Sequence, residues 1–146
     1  MSSLVFRALD QHVIGGLADD TAVIDDRGTL SYAELLHESA CIAGAIHHLG
    51  VQSGTEVAID LPYGRNQVIA VLACARLGAV PIDGAGHRFE GETFYAPETE
   101  VPWDLLMRAG RSEPAPAPDR DPEGYEDLMR SAYPELFSAL IAGGTI

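Results

Sequence analysis

The stretch from residue 31 to residue 82 most constrains how this chain folds, because two helical patterns alternate in it with two short apolar runs. The first helical pattern begins at Ser31, which forms a Ser-x-x-Glu capping box with Glu34. In such a box each of the two side chains accepts a hydrogen bond from a backbone N–H at the start of the helix. Apolar side chains then follow at helical spacing until Gly50 ends the pattern.

The remainder of this stretch predicts a strand, a helix and another strand. Residues 56–61 are almost continuously apolar, as in a parallel strand that is covered on both faces. Residues 66–77 are apolar nearly all round, as in a helix buried on more than one side, and residues 79–82 give the next strand. A short helix over residues 3–16 and a hairpin over residues 21–30 precede them. This order predicts an α/β fold with a small, mostly parallel sheet and flanking helices.

Beyond Asp83 the pattern becomes irregular and acidic. We divide the chain into an α/β core (1–84), a divergent segment (85–110), an Ala/Pro linker (111–121) and a C-terminal helical segment (122–146). The divergent segment is typical of loop or short strand, followed by a short helix from Trp103, and the linker should be stiff and solvated. In the C-terminal segment, Pro134 either lies in the first turn of a new helix capped by Ser131 or kinks a single helix.

Charge and cysteine content limit the classes of function. The formal net charge is −13 and acids outnumber arginines in both halves of the chain, so binding to nucleic acid or membrane through charge is not expected. All nine basic residues are arginines, which excludes lysine-dependent chemistry. Cys41 and Cys74 lie in apolar helical patterns and should be buried, and no ligand spacing predicts a metal. Without a membrane-span or signal pattern, we expect a cytoplasmic protein.

Two motifs carry a resemblance to a known family. They read Leu-Ser-Tyr-Ala-Glu-Leu-Leu at residues 30–36 and Ala-Arg-Leu-Gly-Ala-Val-Pro-Ile-Asp at residues 75–83. In this order and at this separation they resemble the first two core motifs of the adenylate-forming enzymes, which include acyl-CoA synthetases and the adenylation domains of nonribosomal peptide synthetases. The resemblance covers residues 20–83 and implies the N-terminal subdomain of that fold.

The same resemblance implies how such an enzyme handles ATP, and the corresponding residues are missing from this sequence. The family uses a loop of the form Thr-Ser-Gly-Thr-Thr-Gly, which occurs nowhere in the 146 residues, and a lysine, which the chain lacks. The Gly-Gly-Thr run at residues 143–145 is better explained as a helix stop. We therefore expect a chain truncated before the ATP-binding loop, with no cofactor and no adenylation by this chain alone.

One polar cluster is a candidate for other chemistry. Asp83, His87 and Glu90, with Arg88 and Glu92, follow a predicted strand, where open α/β sheets place their ligands. A histidine between carboxylates forms an acid/base pair, and an arginine holds a substrate anion. The competing interpretation is a solvated polar loop, which the sequence favours.

Three other groups of residues point away from chemistry. His47 and His48 face about 100° apart on a helix, unlike a metal-binding pair, and Cys41 is too apolar in its surroundings for a nucleophile. The aromatic residues of the divergent segment either pack it onto the core, which we favour, or contact a ligand or partner; they are Phe89, Phe94, Tyr95 and Trp103.

Two classes of function follow. The first is an interaction or scaffold module in a specialised-metabolite or acyl/peptidyl biosynthetic assembly, as a homodimer or in complex with a larger synthetase or synthase, since the apolar helix over residues 66–77 needs a cover. The second is a small repurposed enzyme that acts on a small or carrier-bound acyl substrate through the loop holding Asp83, His87 and Glu90. A split gene product that needs the missing subdomain in trans is a third possibility.

Overall fold

The computed structural model describes residues 2–146. The chain begins with a helical segment that contains two π-helical stretches, Phe6–Asp10 and Val13–Leu17. The hairpin, the first long helix and the βαβ unit follow as β1 (Thr21–Asp25), β2 (Gly28–Ser31), α1 (Tyr32–His48), β3 (Glu56–Asp60), α2 (Arg65–Leu77) and β4 (Val80–Pro81). The second half of the chain forms β5 (His87–Glu90), β6 (Thr93–Ala96), β7 (Thr99–Pro102), α3 (Trp103–Gly110), α4 (Tyr125–Ala132) and α5 (Pro134–Ile141).

The capping box predicted at the start of α1 is present. Ser31 Oγ accepts the backbone N–H of Glu34 at 3.1 Å, and Glu34 Oε1 accepts the backbone N–H of Ser31 at 2.9 Å. These bonds to Ser31, the backbone one above all, hold the pKa of Glu34 below its usual value. The predicted stripe of α1 faces the core, with four of its residues buried: Leu35, Ser39, Ile42 and Ile46.

The central sheet confirms the predicted α/β class and shows how it is built. Its strand order is β4-β3-β5-β6-β7, and β1 and β2 form a separate antiparallel pair. Strand β3 pairs in parallel with β4 and with β5, whereas β5, β6 and β7 pair antiparallel. The sheet is therefore mixed, and its parallel part contains the predicted βαβ unit. Helix α2 is buried along nearly all of its length, as its apolar composition predicted.

The divergent segment, for which we expected loop or short strand, forms the three strands β5, β6 and β7 and then the predicted helix α3. Gly91 and Glu92 join the first two strands, and Gly91 has a φ of +61°, which glycine adopts without strain in a tight hairpin turn. Phe89 and Phe94 are opposite each other in this ladder, fully buried, with ring centroids 4.7 Å apart. These aromatic side chains therefore pack the segment onto the core.

Residues 111–121, expected as a solvated linker, lie against α1 and α2. The backbone N–H of Ala115 donates to the carbonyl of Ala40 at 2.9 Å, and the carbonyl of Ala115 accepts from Arg76 Nε at 2.9 Å. Arg76 is buried and also pairs with Asp10 through two bonds of 2.9 and 3.0 Å. The segment is thus fixed by a buried ion pair that also anchors the N-terminal helical segment.

The C-terminal helices complete the core within the same chain. Tyr125 donates its hydroxyl to the carbonyl of Ala79 at 2.6 Å and lies 3.1 Å from that of Cys74, and its burial raises the pKa of Tyr125 far above the usual value. Met129, Phe137 and Leu140 are fully buried in the same cluster. The apolar surface of α2 therefore has its cover inside this chain, so the reason for expecting a second chain there does not hold.

The break between α4 and α5 settles one of the alternatives left open by the sequence. Pro134 occupies the first turn of α5, so it begins a new helix rather than kinking a single one. The residue before it, Tyr133, takes the capping position without a side-chain hydrogen bond, and Ser131 lies within α4. The prediction of Ser131 as the cap was therefore wrong, because α4 continues one residue past it, to Ala132.

The end of the chain pairs with the hairpin. The backbone N–H of Ile146 donates to the carbonyl oxygen of Ala22 at 2.8 Å. The backbone N–H of Ile24 donates to the carbonyl oxygen of Ile146 at 3.1 Å. Tyr32 donates its hydroxyl to the carbonyl of Gly144 at 2.6 Å, and burial raises the pKa of Tyr32 to about 12. None of the helices within residues 2–146 combines the length and the apolar composition that crossing a membrane requires.

Candidate functional site: an arginine cleft

A concavity lined by several charged side chains lies where the hairpin turn, α1, the start of α2 and α3 come together. It encloses about 650 Å³. Arginines reach it from three of these elements, and Glu38 of α1 and Trp103 of α3 also line it. We call this concavity the arginine cleft after its four cations, which are Arg27, Arg65, Arg108 and Arg111.

Arg65 is held in place by Asp25 at the end of β1. Its guanidinium lies 3.0 to 3.3 Å from both carboxylate oxygens of Asp25, and its backbone N–H, at the first position of α2, donates to Asp25 Oδ2 at 2.9 Å. Both side chains are largely buried, with 13% and 5% of their surface exposed. The hydrogen bonds from Arg65 hold the pKa of Asp25 at about 2. The pair fixes this wall of the cleft.

The other three guanidinium groups have fewer hydrogen-bond and ion-pair partners than that of Arg65. Arg27 makes one long hydrogen bond, of 3.5 Å, to Asn66 Oδ1. Among residues 2–146, no carboxylate comes within ion-pair distance of Arg108 or Arg111. Arg108 lies in the last turn of α3, and Arg111 directly follows the helix, three positions further on, with helical backbone angles, so the two residues share one side. The cleft thus holds cations that are available to an anion.

Glu38 of α1 lines the same cleft. Its Oε2 atom is inaccessible to solvent and has no hydrogen-bond partner among residues 2–146. Burial raises the pKa of Glu38, and Arg65 and Arg27 partly oppose this shift while Glu34 adds to it. A carboxylate that is short of partners therefore faces a group of arginines.

The charge of the cleft differs from that of the whole molecule. The cleft holds four of the nine arginines but three of the 22 acidic residues, which are Glu38, Glu92 and Asp104. Its lining residues therefore sum to a formal charge of +1, including Arg65, which is paired with Asp25, in a protein of formal charge −13. Because electrostatic attraction acts over about 10 Å at ordinary ionic strength, the local arrangement and not the sum decides what binds here.

The residues of the predicted polar cluster do not converge. His87 lies on the inner face of β5, where its ring contacts Phe94 and its Nε2 is 3.3 Å from the carbonyl oxygen of Leu49. Glu90 is three residues further along the strand and so lies on the opposite face. Asp83 is exposed in the turn after β4.

The two other members of that cluster also separate. Arg88 lies over the ring of Tyr95, 4.2 Å from its centroid, and 3.6 Å from Glu90. Glu92 lines the arginine cleft instead. The geometry gives a surface ion pair and a packed histidine where an acid/base pair was the candidate.

His47 and His48 have hydrogen-bond partners, and the two cysteines are buried. His47 Nδ1 is 3.1 Å from the carbonyl oxygen of Val51, and His48 Nε2 is 2.8 Å from Glu113 Oε2. Burial raises the pKa of the Cys41 thiol, and it raises that of Cys74 to about 12, so neither is a reactive thiolate at neutral pH.

Sequence reasoning missed the arginine cleft. Its four arginines lie at positions 27, 65, 108 and 111, so only the last two are close in sequence. The spacing of Arg108 and Arg111 was the one local signal, but the predicted helix held only Arg108, because Arg111 was assigned to the linker. The net charge of −13 gave no further signal, because the sum of the charges does not show which arginines lie close together in space.

Sequence comparison places the chain beside CoA ligases. The sequence profile of the family described as "AMP-binding enzyme" matches residues 11–83. The rat protein "Acyl-CoA synthetase short-chain family member 3, mitochondrial" is 35% identical over 86 residues, which cover 55% of this chain and 13% of the rat protein. "Acetyl-coenzyme A synthetase" of Mycobacterium bovis is 42% identical over 82 residues, which cover 52% of this chain and 13% of that protein. The chain thus spans about an eighth of the length of these curated relatives.

Solved structures agree on the fold. A benzoate CoA ligase from Burkholderia xenovorans matches 56% of this chain and 16% of its own, with a TM-score of 0.51 and 25% identity. The N-terminal subdomain of Klebsiella oxytoca NpsA, solved in complex with anthranilyl-AMSN, matches 82% of this chain and 36% of its own, with a TM-score of 0.63 and 19% identity. The likeness to the second structure concerns the fold alone, and it extends over more of the chain than the 73 residues that the family profile matches.

Proposed function

Because this chain belongs to the family of AMP-binding enzymes, we propose that it is a ligand-binding module of that family, whose arginine cleft takes a phosphate-bearing ligand of the coenzyme A type. The observation that carries the proposal is the gathering of four arginines in one cleft of an acidic protein. The names of the relatives, acetyl-coenzyme A and acyl-CoA synthetases, supply the ligand to test first.

The chemistry of the cleft supports this class of ligand. A guanidinium group donates two parallel hydrogen bonds to a phosphate, and its charge persists at every physiological pH. Arg108 and Arg111 have no carboxylate partner within residues 2–146, so a phosphate would not have to displace one. The indole of Trp103, at the start of the same helix, offers a surface on which a nucleotide base stacks.

The ligand can be tested with the protein's own fluorescence, because Trp103 is the single tryptophan of the sequence and lines the cleft. We expect coenzyme A to change its emission saturably, and pantetheine, which lacks the phosphates, to bind at least tenfold more weakly. Replacing Arg108 and Arg111 by alanine should weaken coenzyme A binding by about tenfold to a hundredfold, the value of one or two charge-assisted hydrogen bonds.

The matched control for that titration is Arg120→Ala, which removes an arginine that does not line the cleft. Its affinity for coenzyme A should equal that of the original protein. Equal binding of pantetheine and coenzyme A, or an unchanged affinity after Arg108 and Arg111 are replaced, would contradict the proposed site.

We propose further that this chain alone does not adenylate an acid. The support is the sequence, in which neither a lysine nor a Thr-Ser-Gly-Thr-Thr-Gly run occurs. Incubation with ATP, magnesium and short-chain or aromatic acids should therefore release no pyrophosphate above the background. Steady release of pyrophosphate that requires the purified protein would refute this part of the proposal.

A role as an interaction or scaffold module in an acyl or peptidyl biosynthetic assembly remains our proposal for the biological setting, in the cytoplasm, as a homodimer or with a larger synthetase or synthase. It is supported by a fold without a convergent catalytic set at Asp83, His87 and Glu90, so binding is the simpler role. Light scattering of the purified chain, and affinity capture followed by identification of a synthetase, test it. Capture of neither a second copy nor a synthetase counts against it.

The alternative of a small repurposed enzyme gains no support from the geometry. His87 and Glu90 lie on opposite faces of β5. If the enzyme hypothesis were right, His87→Ala would abolish a turnover that the folded protein otherwise shows. The interaction hypothesis expects no turnover to lose.

A further inference from the structure

Glu38 is the one member of the arginine cleft whose environment is unfavourable for its charge. Its Oε2 is hidden from solvent without a hydrogen-bond partner among residues 2–146. A buried polar atom without a hydrogen-bond partner costs free energy, and more if it is charged, so each such group calls for an explanation.

The arginines around Glu38 do not relieve it. The Arg65 guanidinium is already bonded to both oxygens of Asp25, and no arginine forms an ion pair with Glu38 among residues 2–146. Burial is also the main reason that the pKa of Glu38 is raised. The charged form is thus held at a disadvantage even before a ligand arrives.

We propose that Glu38 couples ligand binding to proton uptake: when an anion enters the arginine cleft, the Glu38 carboxylate takes one proton from the solvent. The inference rests on the proposed function, since it names the residue that regulates the same cleft. The step forms one O–H bond on Glu38 and breaks one bond to hydrogen in the hydronium ion or buffer acid that supplies the proton. Neutral Glu38 no longer repels the anion, and its new hydroxyl is a donor that the ionised form lacks.

The direction of the pH dependence follows from linkage. A bound anion raises the pKa of Glu38 further, because two negative charges in one cleft repel each other. Affinity for the anion is therefore greatest at low pH, where Glu38 is protonated with or without ligand. The affinity falls by up to tenfold per pH unit between two values, the pKa of Glu38 in the free protein and the pKa of Glu38 in the ligand-bound protein. Above both values it no longer changes with pH.

Other groups around the cleft have to be separated from Glu38. On α1 itself these are Glu34, His37 and Cys41, of which His37 lies 3.7 Å from the Cys41 sulfur. From the facing elements they are Arg27, Arg65, Arg108, Arg111, Asp104 and Glu92. His37 is the single histidine among these groups, so it needs a control of its own.

The test uses sulfate as the probe, because its charge is constant over the range, whereas a phosphate ester titrates near pH 6. Binding is followed by Trp103 fluorescence at constant ionic strength from pH 5 to 8. We expect the affinity of the original protein to fall as the pH rises. Glu38→Gln should bind sulfate at pH 8 about tenfold more tightly than the original protein and lose most of the pH dependence.

Two control variants make the assignment specific. Glu92→Gln neutralises another carboxylate of the cleft, and His37→Gln removes the neighbouring histidine. In both variants the affinity for sulfate should change with pH as steeply as it does in the original protein. A slope that vanishes in His37→Gln, or that Glu92→Gln reduces as much as Glu38→Gln does, overturns the assignment to Glu38.

Calorimetry of the unaltered protein gives a measurement that does not depend on the folding of a variant. Sulfate binding in two buffers of different ionisation enthalpy should show uptake of up to one proton per site; zero uptake or release of protons overturns the inference. If sulfate and coenzyme A both fail to bind at any pH, the proposed function fails. If they bind with an affinity independent of pH, only the role of Glu38 fails.

Discussion

Asp25 shows how one side chain can hold two elements and a binding site in register. Its carboxylate takes the guanidinium of Arg65 and also the first backbone N–H of α2, where the capping position, Gly64, has no side chain to offer. It therefore serves as a cap supplied from another part of the chain. The same contacts keep the Arg65 wall of the cleft in place.

Replacing Asp25 by alanine should lower the free energy of unfolding at pH 7 by about 2–4 kcal/mol, because Arg65 would remain largely buried without its partner and α2 would lose a cap. Urea denaturation measures this loss. Asp26→Ala is the matched control: Asp26 is exposed and makes no ion pair among residues 2–146, so its loss should change stability by less than about 0.5 kcal/mol.

The pH dependence of that loss has a definite sign. The pKa of Asp25 is about 2 in the folded protein, below the usual value of 3.8. A depressed pKa stabilises the fold fully above 3.8, and the contribution disappears as the pH falls toward 2. The difference between the original protein and Asp25→Asn should therefore shrink between pH 4 and pH 2. A difference that stays constant over this window would contradict the ion pair.

At the scale of elements, the close approach of α1 and α3 positions the two uncommitted arginines. Gly110, at the end of α3, lies so close to Cys41 of α1 that a Cβ atom on it would overlap the Cys41 backbone carbonyl. The helices can touch backbone to backbone only because this residue has no side chain. Arg108 and Arg111 flank it, so their reach into the cleft depends on the contact.

Gly110→Ala should destabilise the protein by about 2–3 kcal/mol, since one backbone has to move away from another. It should also weaken coenzyme A binding, because Arg108 and Arg111 lie at the end of α3. Thermal unfolding and the fluorescence titration measure the two effects. Gly15→Ala is the control, as no atom beyond its own helical segment lies within 4 Å of the added methyl group there, so it should not destabilise the protein and should at most stabilise it by about 1 kcal/mol through helix propensity. Equal stability of the two variants would refute the packing.

Local signals explain which elements the sequence predicts correctly. The capping box at Ser31 and Glu34, the helical period of α1 and the apolar run of β3 each specify an element within a few residues. Such patterns determine the element before tertiary packing acts.

Elements that depend on pairing were harder to predict. The strands of the divergent segment are four residues each, too short for an alternating pattern to stand out, although Gly91 before Glu92 was a hairpin signal. The course of residues 111–121 depends on Arg76 and Ala40, which are far away in sequence. The arginine cleft has the same origin, because its residues meet only once α1, α2 and α3 have packed.

At the scale of the whole molecule, the second half of the chain is part of the core. Tyr125, Met129, Phe137 and Leu140 are buried against the first half. Burying one large apolar side chain contributes about 1.5–3 kcal/mol, so this set is comparable with the whole net stability of a domain, about 5–15 kcal/mol. The two halves should therefore unfold as one cooperative unit.

A chain that stops at Gly110 should consequently show no cooperative unfolding transition in urea, and it should associate, because α2 would expose its apolar surface. Circular dichroism and light scattering check these expectations. Tyr125→Phe, which keeps the ring but leaves the carbonyl of Ala79 without its donor, gives the milder comparison and should cost about 1–3 kcal/mol. If residues 1–110 instead unfolded cooperatively as a monomer, the C-terminal helices would be an appendage, and the packing of α2 would need another explanation.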